Sequence, residues 1–139
     1  MKVIALRGGE NTGKSHTINI VYSFLIKDGY TQVPGRFKIQ GNPIFQDVND
    51  ILIKGAKKIG IIGMGDYLRA PNGISYLISD LETKGCDVVV CACRDTLKIV
   101  ESVLQKYPAV TWIDKTISTG EFENRIVNAE DAERIFQKI

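Results

Sequence analysis

Residues 8–15 read GGENTGKS. Glycines at 8 and 13, followed at once by Lys14 and Ser15, give the spacing G-x-x-x-x-G-K-[S/T]. Each residue type has a task in phosphate chemistry. Glycine lets the backbone wrap until successive N–H groups point inward at phosphate oxygens. A helix starting at the lysine adds its unpaired first-turn N–H groups and the positive end of its dipole. Lys14 places a point charge at the β- and γ-phosphates, and Ser15 offers a hydroxyl to Mg²⁺. The candidate phosphate cradle is therefore Gly8, Gly9, Glu10, Asn11, Thr12, Gly13, Lys14, Ser15 and His16. With glycine at about 7% of residues, a chance match in such a chain is on the order of one in a few hundred. That makes the pattern a specific signal rather than an ordinary glycine-rich turn.

Such a loop works only between a strand and a helix. Residues 2–6, KVIAL, form an apolar run that stops at the loop and reads as a buried strand. From Lys14 the spacing of Ile18, Val21, Tyr22 and Leu25 is helical, and Gly29 is placed to end that helix. The next stretch is rich in short strands and turns. We expect strands over 36–40, 50–54 and 58–64, the last two as a hairpin, with a turn at Gly41-Asn42-Pro43 and residues 44–49 undecided. Ile74, Leu77, Ile78 and Leu81 predict a helix ending near Gly85. Residues 86–93, CDVVVCAC, read as a strand buried on both faces. Asp95 is placed to cap a helix over 96–107, residues 110–114 form a strand, and Asn128 is placed to cap a helix over 129–138. No pattern decides 115–127. Strand–helix alternation of this kind predicts an α/β fold with three layers. The sheet is expected to be mostly parallel, with helices on both faces and the antiparallel hairpin at one edge.

The cradle and its strand–helix setting resemble the P-loop nucleoside triphosphatase superfamily. The resemblance is specific over residues 8–15 and loose elsewhere. It implies a P-loop α/β fold that binds ATP or GTP with Mg²⁺. It also calls for a carboxylate at the end of a neighbouring strand, to hold the magnesium with Ser15. Asp66 follows the apolar run KIGIIGMG and is the best match, with Gly60, Gly63 and Gly65 placed to let the backbone pass close to phosphate. Asp87 begins a strand and so falls at the wrong sheet edge, and Asp114 is expected to lie further from the loop. Three family features are missing. Tyr67, not an acid, follows Asp66. The glycine of GTPase switch regions is absent after it, and no N-K-x-D motif is present to read guanine. ATP is thus the expected nucleotide.

Four arginines, Arg7, Arg36, Arg69 and Arg94, fall in loops or at strand ends, where phosphotransferases place cations against developing charge. Arg94 leaves the strand over 86–93 at the ligand-binding edge. There it reaches a phosphate, stacks on the base, or is simply solvated. Glu10 either orients a water or acceptor hydroxyl near the γ-phosphate or faces solvent. The candidate catalytic set is Lys14, Glu10 and Arg94. Cys86, Cys91 and Cys93 lack the spacing of a zinc site and read as core residues. His16 has no nucleophile beside it, and Trp112 reads as core.

A chain of 139 residues suits one domain, 1–139, able to bury a core without disulfides. Hydrophobic residues make up 44% and charged residues 24%, and the net charge of +2 gives no bulk attraction for nucleic acid. No run is long enough to span a membrane, KVIAL is too short for a signal peptide, and three sparse cysteines fit a reducing, cytoplasmic setting. The leading expectation is a slow Mg·ATP hydrolase. A small-molecule kinase is the second, with 29–50 shaping the acceptor site. A nucleotide-gated interaction module with little turnover, whose protein partner is unidentified, is the third.

Overall fold

The computed structural model describes residues 1–40 and 46–139. The turn expected at 41–43 and the undecided residues 44 and 45 lie outside them. Strand β1 (Lys2–Gly8) sits deep in a single sheet. Its apolar run is continuous because both faces are covered: Ile4 and Leu6 enter one core, Val3 and Ala5 the other. Strand β6 (Val88–Arg94) is built the same way, with Val88, Val90 and Ala92 on the first face and Val89, Cys91 and Cys93 on the second.

The first core is closed by α1 (Lys14–Lys27) and α4 (Glu121–Phe136), through Ile18, Val21, Leu25, Ala132 and Ile135. Phe24 and Phe136 meet edge to face across these two helices, with ring centroids 5.8 Å apart. The second core is closed by α2 (Ile74–Thr83) and α3 (Leu97–Lys106), through Ile74, Ile78, Leu81, Ile99 and Val103. Helices thus cover both faces, as expected.

The remaining strands are β2 (Thr31–Gln32), β3 (Lys38–Gln40), β4 (Asp47–Lys54), β5 (Lys57–Ile62) and β7 (Thr111–Asp114). The sheet order is β2-β4-β5-β6-β1-β7, with β3 also pairing β4. Strands β5, β6, β1 and β7 are parallel to one another, whereas β2, β3 and β5 all pair β4 antiparallel. The sheet is therefore mixed, which corrects the expectation of a mostly parallel one. The expected hairpin is present, its tight turn at Gly55-Ala56 pairing Lys54 with Lys57, and the departure comes from β2 and β3, which pair the far side of β4 antiparallel as well.

Two helix starts also differ from expectation. Thr96, not Asp95, precedes α3. Helix α4 begins at Glu121, so Asn128 lies inside it rather than at its start. Residues 121–126 are all exposed: Phe122 and Ile126 stand one helical turn apart but bury nothing, so the first turns of α4 contribute no core stripe. Glu121 and Glu123 instead favour this end through the helix dipole.

Because β5, β6, β1 and β7 run the same way, Ile62, Arg94, Gly8 and Asp114 end at one sheet edge. Strand β4 runs oppositely and brings its first residue, Asp47, to that edge. The chain beyond β5 stays against β6: a Cβ at Gly65 would run into the Ala92 carbonyl oxygen. Close approach of backbones is thus the immediate reason for that glycine. Among the described residues, no helix is long and apolar enough to cross a membrane.

Candidate functional site

The glycine loop leaves β1 at Gly8 and enters α1 at Lys14. Asn11 and Gly13 take the left-handed conformation, with φ of 55° and 91°. The Gly9 carbonyl accepts hydrogen bonds from the Thr12 hydroxyl at 2.8 Å and from Lys14 Nζ at 2.5 Å. The lysine is therefore folded over the loop it follows. No side chain caps α1 at Gly13, and the residues of its first turn, Lys14, Ser15 and His16, line the cleft above the loop. Burial pulls the Lys14 ammonium below its ordinary pKa range, with Asp66 and then Asp95 acting against that shift.

Ser15 donates a hydrogen bond to Asp47 Oδ1. Asp47 is buried, and its carboxyl is pushed above the ordinary range by that burial and further by the nearby charge of Asp66, while the Ser15 bond and Lys14 oppose the shift. Asp47 carries no signal in the sequence, because no pattern decides residues 44–49 and the carboxylate is expected where a strand ends, whereas Asp47 begins β4. Asp66 is exposed and lines the same cleft, but β6 intervenes between its strand and β1, so it is not at the end of an immediate neighbour. Asp114 ends β7, an immediate neighbour of β1, but it is held by Arg7 at 2.9 Å and does not line the cleft. Asp87 lies at the other edge, as expected, and accepts the Lys58 backbone N–H at 2.8 Å.

Glu10 projects from the loop and pairs with Arg94 at 2.9 Å, so two of the three candidate catalytic residues are engaged with each other. His16 is exposed on the cleft wall. Arg36 is exposed in the segment leading to β3, and Arg69 lines a second cavity. Trp112 is half-buried, with the Arg7 guanidinium 5.2 Å from its ring centroid. All three cysteines are buried free thiols. Burial pushes the Cys93 pKa up to about 12, so it stays a protonated, inert thiol.

The far wall comes from the stretch no sequence pattern decided. Asn128 of α4 stands so close to the loop that a Cβ on Gly13 would lie 2.6 Å from its Oδ1. Lys115, just past β7, crowds Gly8 in the same way: a Cβ there would lie 2.9 Å from Lys115 Cβ. Lys115 Nζ is 3.0 Å from Asp131 Oδ2, both buried, and Asp131 also accepts from the Thr116 N–H at 2.8 Å and hydroxyl at 2.7 Å. Burial alone would raise the Asp131 carboxyl. The two Thr116 bonds and then Lys115 outweigh it and hold the group below its ordinary range. The cleft itself is lined on this side by Ile117, Ser118, Glu121, Asn124, Arg125 and Asn128, behind which the Lys115–Asp131 pair is buried, and it measures about 600 Å³, within the usual size of small-molecule sites.

The chemistry available is that of a hard cation and an anion. A hydroxyl and two carboxylates offer only oxygen, which suits Mg²⁺. A cation would also relieve the buried charge of Asp47. Among the described residues, no three His, Cys, Asp or Glu side chains group to hold a metal. Ser15, Asp47 and Asp66 would thus need phosphate oxygens and water to complete a magnesium shell. No protein-family model, no curated protein and no solved structure matches this chain.

Proposed function

We propose that this chain binds a Mg²⁺–nucleoside triphosphate, most simply ATP, in the 600 Å³ cleft and hydrolyses it slowly, as a small member of the P-loop superfamily. One observation carries the reading. The loop Gly8–Ser15 joins β1 to the uncapped start of α1, and Lys14, Ser15, Asp47 and Asp66 converge on the same cleft. The backbone N–H groups and Lys14 would hold phosphate oxygens. Ser15, Asp47 and Asp66 would hold Mg²⁺, which supplies charge neutralisation at those oxygens. No acid follows Asp66 to activate water, which favours slow turnover. ATP is preferred over GTP because the guanine-reading motif is missing.

A kinase reading is favoured by a second cavity that shares Asp66 with the first and is also lined by Arg94, giving space for an acceptor next to the phosphates. ADP release from Mg·ATP, measured alone and with a panel of small hydroxylated and carboxylated acceptors, tests both. Hydrolysis predicts release without any acceptor. Release only with an acceptor selects the kinase, and no release with or without one contradicts both.

A further inference from the structure

The second cavity, about 720 Å³, opens beside the first along the ligand edge of the sheet. Large apolar side chains are grouped around it. Tyr67, Leu68, Leu97 and Ile99 line it, and Leu97 and Tyr67 are 71% and 52% exposed. Large apolar side chains left open around a hollow mark a binding site rather than a core. The charges are uneven as well. Arg69 and Lys98 line the cavity, and neither makes an ion pair among the described residues. Arg94 is a third cation, paired with Glu10 on the loop side. Asp66, on the wall shared with the first cleft, is the one lining acid among the described residues.

We propose that this cavity binds a small organic anion with an apolar body, the body against Tyr67, Leu68 and Leu97 and the anionic group between Arg69 and Lys98. Its volume fits a single small molecule, and its cations without acidic partners favour a negative ligand. The site stands whether or not the neighbouring cleft takes a nucleotide.

The probe is 1-anilinonaphthalene-8-sulfonate, an apolar anion that fluoresces when shielded from water, titrated without nucleotide. N-phenyl-1-naphthylamine serves as its uncharged counterpart. The wild type should bind one equivalent of each. Leu97→Glu should weaken the anion by about tenfold or more, equivalent to ~1.4 kcal/mol. Because Leu97 is exposed, that variant should keep the wild-type circular dichroism. Arg69→Gln with Lys98→Gln should weaken the anion severalfold and leave the uncharged dye unchanged. Phe122→Ser, on the exposed apolar surface of α4, should change neither. The proposal is overturned if Leu97→Glu binds the anion as the wild type does, if the double variant affects both dyes alike or neither, or if Phe122→Ser abolishes binding.

Discussion

Lys14 and Ser15 were legible as residues, because their chemistry depends on spacing along the chain and that spacing is local. Asp47 was not, since no pattern decides residues 44–49 and the expected hairpin strand starts only at residue 50, whereas β4 begins at Asp47 and brings it to Ser15. Asp47 is also where the cost of the site is concentrated. A carboxyl whose folded-state pKa is raised destabilises the fold once it ionises. That loss sets in as pH rises from the ordinary carboxylate value through the raised folded one. Asp47→Asn keeps an oxygen to accept the Ser15 hydroxyl and removes the buried charge. The variant should melt at or above the wild-type temperature at pH 7. The gap should close as the pH is lowered through the Asp47 titration. The same variant should lose about tenfold in Mg·ATP affinity, the loss of one charged ligand interaction. A lower melting temperature at pH 7 with unchanged nucleotide affinity would show that Asp47 is merely structural.

Among the elements, α1, α2 and α3 were legible because each carries an apolar stripe of helical period, and β1, β6 and β7 because each is a short apolar run bounded by turn or helix signals. The start of α4 was illegible because residues 121–126 bury nothing. That omission hid the wall facing the glycine loop. Gly13 is where loop and α4 meet, and two constraints act there together: φ of 91° and the Asn128 amide. Gly13→Ala should therefore cost about 1–2 kcal/mol for the left-handed backbone and more for the collision with Asn128. Denaturant unfolding of Gly13→Ala with Asn128→Ala separates the two. Relative to Asn128→Ala alone, the glycine replacement should cost only the backbone share. Equal costs in the two backgrounds would mean that α4 yields and does not press on the loop. The Lys115–Asp131 pair ties the end of β7 to α4. Replacing Asp131 by Asn strands a buried ammonium, and equilibrium unfolding at pH 7 should register a loss of about 3–5 kcal/mol. Asp131 has a lowered folded-state pKa. Its contribution is therefore present above the ordinary carboxylate value and disappears as pH falls through the lowered one. Wild-type stability should fall over that acidic window, and Asp131→Asn should flatten the fall.

For the molecule as a whole, strand–helix alternation foretold an α/β fold covered on both faces, but not the direction of every strand. Three strands enter antiparallel to a partner around β4, and they set the mixed sheet and the position of Asp47. The outcome is one sheet edge carrying two adjoining cavities that share Asp66, with Arg94 of the second paired to Glu10 of the first. The central claim concerns the first of these, and calorimetric titration of Mg·ATP into the wild type and Lys14→Ala tests it most directly. Lys14 is bonded within its own loop to a single carbonyl, so its removal should leave the melting temperature within a few degrees of the wild type. Saturable one-to-one binding is expected for the wild type, with at least about a tenfold loss in Lys14→Ala, consistent with losing a charged hydrogen bond to phosphate. No binding heat with the wild type, or equal affinity in the two proteins, would contradict that claim.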